Sequence, residues 1–244
     1  MTTIRVITAL TLGLAAGGVC SAVELPPELK GFEVGIKSET DNWSSELNPE
    51  SITEVRPGDK AGTYVILGGW GVEGQWDATW EINVDLDPGV TSSFNITNPT
   101  GATSGYAVTV TVPIAPLGGP TVMEGKMSGN LLDANLDGSA TVSTIGGGSL
   151  YSALVDALAP GVHTEYDAPY SLTTTDFIDP LPLASWGPIP GPAVASFIGI
   201  SNAFSLTGGD TFQMVNVFVI NAIPAPGAMA VAGLAGLCAI RRRR

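Results

Sequence analysis

Trp76-Asp77-Ala78-Thr79-Trp80-Glu81-Ile82-Asn83-Val84-Asp85-Leu86-Asp87 is the stretch that decides the fold class. Every even position is apolar and every odd one is Asp, Thr, Glu or Asn. A period of two sends alternate side chains to opposite faces of an extended chain, so the stretch predicts a half-buried strand. Asp87-Pro88-Gly89 follows, and those residue types favour a tight turn. Further out, Tyr106, Val108, Val110 and Val112 alternate with Ala107, Thr109 and Thr111, and Pro113 closes that strand.

More strands are expected at 62–67, 92–97, 121–131, 139–145, 195–206 and 211–220. The last is apolar on both faces, Phe212, Met214 and Phe218 on one and Val215, Val217 and Val219 on the other, as in a central strand. Residues 150–158 read equally as a helical turn or two or as a strand. The proline-rich residues 179–192 read as a long surface loop. Many short strands without alternating helices predict an all-β antiparallel sandwich or barrel-like domain over residues 23–222.

Composition agrees with that class. Charged residues make up only 14% of the 244, while 31 Gly and 18 Pro supply turns rather than long helices. Ten basic residues face 23 acidic ones, and their placement sharpens the imbalance. Arg5 and four terminal arginines lie outside the body, which keeps five bases (Lys30, Lys37, Arg56, Lys60, Lys126) against all 23 acids, a charge of −18. A body so acidic repels phosphate backbones, which argues against nucleic acid as a partner, and attracts divalent cations. Cys20 and Cys238 both fall in hydrophobic end segments. The body thus has no thiol for a disulfide, a thiolate metal site or a nucleophile.

The two ends carry addresses. Residues 1–22 have the form of a secretory signal peptide: Arg5, an apolar stretch, then small residues at Cys20 and Ala22 that place cleavage between Ala22 and Val23. At the other end, Pro224-Ala225-Pro226 precedes a run of fourteen small or apolar residues, 227–240, and then Arg241, Arg242, Arg243 and Arg244. As a helix that run would span about 21 Å, short of the ~30 Å hydrocarbon core. The arginines would hold its end on the cytoplasmic side. The prolines keep the preceding backbone extended, which a processing enzyme can grip.

Residues 223–244 resemble the PEP-CTERM sorting domain, the ice-binding-protein carboxy-terminal type of tail: a Pro-Glu-Pro motif, an apolar helix and an arginine cluster. Here Ala225 replaces the Glu, and Gly227 follows. The resemblance implies export through the Sec translocon, a transient inner-membrane intermediate, and recognition by an exosortase-type processing enzyme. Its implied destination is the bacterial cell surface or the extracellular polymeric matrix. The body is loosely similar to exported proteins bearing such tails, on Asp87-Pro88, on the aspartate-rich loop Asp133 to Gly138, and on Leu206-Thr207-Gly208-Gly209-Asp210. That similarity implies no activity.

Few residues point to chemistry. Asp133-Ala134-Asn135-Leu136-Asp137-Gly138 matches the first half of a D-x-[DN]-x-[DN]-G calcium loop. Asp133, Asn135 and Asp137 are its candidate calcium ligands; Thr144 stands at the twelfth position in place of a bidentate Glu, so a distant acid such as Asp156 would have to close the site. A plain Asp/Asn/Gly turn is the competing reading. Five tryptophans, Trp43, Trp70, Trp76, Trp80 and Trp186, suggest sugar stacking; Trp76 and Trp80 belong to the core face of their strand, and Trp70, between glycines, is the candidate ligand platform. His163, the lone histidine, is expected in a loop after Pro160-Gly161. Glu165 and Asp167, two apart, form an acid pair of the kind glycosidases use. No G-x-S-x-G, H-E-x-x-H or phosphate-cradling loop occurs, so no catalytic residue is assigned. The expected function is a structural or adhesive exported β-protein. The alternatives are a carbohydrate-binding module, calcium-dependent in one version, and a secreted hydrolase.

Overall fold

The computed structural model describes residues 23–39 and 51–223. The expected signal segment, Trp43, both cysteines and the residues from Pro224 onward, with the helices expected at the two ends, lie outside the described residues. Among the described residues helical backbone is confined to 3-10 turns, Pro27–Leu29 and the single positions Glu39 and Ser51, and no helix is long and apolar enough to cross a membrane.

Among the described residues fourteen strands form two sheets, and every pairing between them is antiparallel. The first begins with β1 (Glu33–Ser38), which pairs with β6 (Ser104–Pro113), and β6 with β13 (Phe197–Leu206). The far side of β13 then divides. Its first half pairs with β9 (Ser149–Val155), which carries β10 (His163–Asp167); its end pairs with β8 (Ala140–Ser143), which carries β11 (Ser171–Thr174). The second sheet runs β12 (Ile178–Gly191), β7 (Thr121–Leu132), β14 (Thr211–Ala222), β5 (Gly89–Thr97), β4 (Trp76–Asp85), β3 (Thr63–Val72), β2 (Ile52–Pro57). The fold is all-β and sandwich-like, two open sheets sharing one hydrophobic core.

β4 alternates buried and exposed residues along nearly its whole length, as its sequence period requires. Of residues 150–158, the first six resolve as strand within β9 and the last three as a bend, none as helix. The two inner faces meet through rings such as Phe204 of β13 and Phe212 of β14, 5.1 Å apart and edge-on. Each fully buried large side chain contributes about 1.5–3 kcal/mol. Two indoles lie over glycines of the adjacent strand: Trp80 on Gly68, and Trp186 on Gly125, where an added Cβ would come within 2.7 Å of the ring. The missing side chain is what makes room for the large one.

β14 is central, as its composition predicts, but only its inner face is buried; Val215 on the outer face is 42% exposed. Its inner face is not wholly apolar either. Asn216, fully buried, faces Asn202 of β13 across the sandwich. The two amides donate to each other, 3.1 Å in each direction. The second N–H of Asn202 reaches the Leu150 carbonyl at 2.9 Å, and that of Asn216 reaches Ser92 Oγ at 3.3 Å. Such pairing removes the penalty that unpaired amides would carry there.

The proline-rich residues 179–192 are not a loop. All but Pro192 belong to β12, the edge strand of the second sheet, bonded on one side only, to β7. Prolines 180, 182, 188 and 190 have no N–H to give, which an edge strand can tolerate because one of its sides needs no ladder. Two register shifts, between Leu181 and Ala184 and between Trp186 and Ile189, take up the irregularity. The same prolines blunt the edge against pairing with another chain.

Candidate functional site

The aspartate-rich loop joins β7 to β8 at one end of the sandwich. Asp133 closes β7 and is buried, while Asn135 and Asp137 stand exposed. The loop is organised by its own side chains. Asp133 Oδ1 accepts from the Asp137 N–H at 3.2 Å and its Oδ2 from the Gly138 N–H at 3.0 Å. Asn135 Oδ1 accepts from the same Asp137 N–H at 2.9 Å, and Asp137 Oδ1 from the Ser139 N–H at 3.1 Å. Leu136, at φ +59, and Gly138, at φ +102, take the left-handed backbone that so tight a path requires.

The loop rests on the turn that leads into β14. Asn135 Nδ2 donates to the Gly208 carbonyl at 3.1 Å and leaves no room for a side chain at Gly209. Asp210 follows directly and is fully buried. The Thr207 hydroxyl donates to Asp210 Oδ2, while Oδ1 is buried with no hydrogen-bond partner. Burial pushes the Asp210 carboxyl above the usual carboxylate range, and the charges of Asp133 and Asp137 push it the same way, against the lowering by the Thr207 hydroxyl and the Ala134 N–H. Among the described residues no three His, Cys, Asp or Glu side chains stand together as a complete metal-ligand set.

Asp156, proposed from the sequence to close a calcium site, is committed elsewhere. Its carboxylate accepts from the Ala195, Ser196 and Phe197 N–H groups, at 2.6, 2.7 and 3.1 Å, and from the Ser196 hydroxyl at 2.9 Å. These donors overcome partial burial and hold its carboxyl below the ordinary range. It therefore caps the entry to β13. Thr144 does not return to the loop; its hydroxyl bonds the Tyr170 carbonyl.

Trp70 is half-buried, edge-on to Trp76 with centroids 5.4 Å apart, so only part of its ring is offered to solvent. Trp76 and Trp80 are core residues at 1% and 4% exposure, as their strand face predicts. His163 lies in β10, not in a loop, because Val162 N–H bonds back to the Ala153 carbonyl and starts the ladder there. Its ring stacks on Trp186 of the opposite sheet at 4.0 Å, and Nε2 lies 2.9 Å from Glu165 Oε1. Asp167 does not join that pair as a regular strand neighbour, since Tyr166 between them takes φ +54 and breaks the alternation.

At the opposite end of the second sheet an open groove of about 710 Å³ is lined by Arg56, Asp59, Lys60, Tyr64, Asp85 and Asp87 among others. It gathers two of the five basic residues of the body and three acids, which spacing alone did not suggest. The groove, the His163–Trp186 stack and the approach of Asp210 to the loop all join residues far apart in sequence. Only Asp210 carried a signal, the Leu206 to Asp210 pattern quoted above. No protein-family model matches the chain, and no curated protein matches it.

Proposed function

We propose that the chain is an exported structural or adhesive β-protein of the bacterial surface or extracellular polymeric matrix, delivered by a signal peptide and an exosortase-type sorting tail. The observation that carries the reading is the pairing of the two terminal addresses, residues 1–22 and 223–244, with a cysteine-free, strongly acidic body. The engagement of Asp156, Asn98, Asn202, Asn216 and His163 in holding the sandwich together supports it. Asn98, for instance, donates to the Ala102 and Leu206 carbonyls at 2.9 Å and accepts from Thr100, fastening one end of the body.

Fractionation of the producing cells, with mass spectrometry of both termini, tests the reading. The expected mature form begins at Val23, has lost the arginine cluster and is found outside the cytoplasm. A full-length chain confined to the cytoplasm would overturn it.

A second reading, a carbohydrate-binding module, is favoured by the polar groove around Arg56, Lys60 and Tyr64. Charged and hydroxyl groups of both polarities on an open cleft suit the hydroxyls and carboxylates of a surface polysaccharide. Calorimetric titration with such polymers separates it from a passive role, and absence of heat with every polymer of the producing cell would dismiss it.

A further inference from the structure

We propose that Asp210, with Asp133, Asn135 and Asp137, forms a site for a hard divalent cation of calcium's size, and that Asp210 is the distant acid that completes the loop. Its placement differs from that expected of the sequence motif alone. The loop's calcium-like half supplies oxygens from Asp133, Asn135 and Asp137, and the turn beneath it supplies a carboxylate from another strand.

Three observations join the two halves. Asn135 bonds the Gly208 carbonyl, which fixes the loop over the turn. Gly209 has no space for a Cβ because Asn135 occupies it, so the contact is close packing rather than a chance approach. Asp210 is fully buried, yet one of its oxygens has no partner. Buried polar atoms are nearly always satisfied, so the orphaned carboxylate oxygen is a costly arrangement, and the register that sets Thr211 opposite Leu132 brings Asp210 beside Asp133. Neither ion pair found among the described residues, Arg56–Glu54 or His163–Glu165, involves these aspartates.

The hydrogen bonds within the loop do not compete with a metal. Each carboxylate oxygen has more than one lone pair, and the bonds to the Asp137 and Gly138 N–H groups use one on each Asp133 oxygen. Calcium takes six to eight oxygen ligands in flexible geometry, so waters and carbonyls would complete the shell. The described residues do not form a closed cage of three acids, and binding would draw the exposed Asp137 toward the Asp210 oxygen. A smaller ion with a strict octahedral demand fits such an adaptable loop less well.

The test uses the full chain in mild detergent, with calcium chloride and a chelator as the two arms, read by melting temperature and by calorimetry. At a calcium concentration about 100-fold above the dissociation constant, a rise in Tm of roughly 5–10 °C is expected. Asp210→Asn should abolish both the heat and the Tm rise while leaving the chelated protein as stable as wild type or more so, since a buried charge has gone. Asp137→Asn, on the exposed loop and no threat to folding, should weaken binding at least tenfold. A wild-type Tm identical in calcium and chelator overturns the proposal, and so does a calcium effect that survives intact in Asp210→Asn. Stabilisation of the wild type on mild acidification, with no response to calcium, would show that Asp210 is satisfied by a proton instead, and would equally overturn it.

Discussion

Replacing Asn216 by Leu tests whether the amide pair at the centre of the sandwich holds the two sheets together as a unit. The substitution conserves approximate volume, so cavity formation is small. It removes both Asn202–Asn216 bonds and the one to Ser92. Asn202, 1% exposed, is left with its Oδ1 and one N–H unpaired, the other N–H still reaching Leu150. Each orphaned group costs about 1–3 kcal/mol, while the new leucine returns about 1.5–3 kcal/mol of burial. The single variant should lose about 1–3 kcal/mol net. Asn202→Leu should behave alike, orphaning Asn216 in turn. In the double variant no amide remains to be orphaned, and two leucines pack in the gap. Its loss should therefore be smaller than the sum of the singles, with a coupling of at least about 1.5 kcal/mol. Denaturant unfolding of the four proteins measures it. Additivity within about 0.5 kcal/mol would refute the clamp, because independent sites add to that precision.

Three further outcomes follow from individual contacts. Asp156→Ala should cost about 1–3 kcal/mol at neutral pH, since four donors at the entry to β13 lose their acceptor. Because the folded carboxyl titrates below its ordinary value, this contribution is present above the unfolded pKa of about 3.9 and fades as pH falls through the lower folded one. The difference between wild type and variant should shrink below about pH 4, and a constant difference down to pH 2 would count against the cap. Gly125→Ala should destabilise by about 1–3 kcal/mol by driving a methyl into Trp186. That cost should fall sharply in a Trp186→Ala background, and an equal cost in both would place the strain elsewhere. Burial pushes Tyr106 up to about 12 and Tyr151 higher still. Each favours the fold below the ordinary tyrosine pKa of about 10 and stops doing so as pH rises through the raised value. Absorbance titration should then show Tyr106 and Tyr151 ionising only with alkaline unfolding, and normal ionisation near pH 10 in folded protein would refute their burial.

How much was legible beforehand depends on the range of the interactions involved. The strand at Trp76 announced itself because one face meets the core and the other meets water, so its period is printed residue by residue. β14 was legible as a strand in the middle of a sheet, but its Val215, Val217 and Val219 face outward. Composition cannot tell an apolar outer face from a covered one. β12 was missed because proline content normally signals a break, and only the strand's place at an edge, a tertiary fact, makes those prolines harmless. β10 and β11 are short and lean on neighbours reached through turns, so neither prints a period long enough to read. The site divided in the same way. The Asp133 loop is a local motif and was visible; Asp210 lies 77 positions from Asp133 and meets it only because β14 pairs with β7, Thr211 opposite Leu132. Charge alone points equally to Asp156, and the backbone donors of residues 195–197 engage it instead.

Register also fixes what the two candidate sites can do together. Thr97 and Leu132 flank Thr211 at the start of β14, where the acidic loop sits, while Gly89 pairs with Val219 near its end, where the groove sits. Thr211 and Val219 lie eight residue steps apart along the strand, a span of about 27 Å at ~3.4 Å per residue. An ion held by Asp133 and Asp210 therefore cannot touch a sugar lying beside Arg56 and Lys60. Calcium at that loop would act on stability, by fastening the β7–β8 turn to β14, and any dependence of polysaccharide binding on calcium would have to pass through the fold. Polarity along the sandwich has a second consequence. The chain leaves β14 at Ala222, at the groove end. While the proposed tail still holds the protein at the membrane, the groove end is the one tethered beside it and the acidic loop is the far end. Polysaccharide binding through the groove should then be weaker in a tail-retaining, membrane-held form than in the released chain. Equal binding by the two forms would place the polysaccharide contact away from the groove.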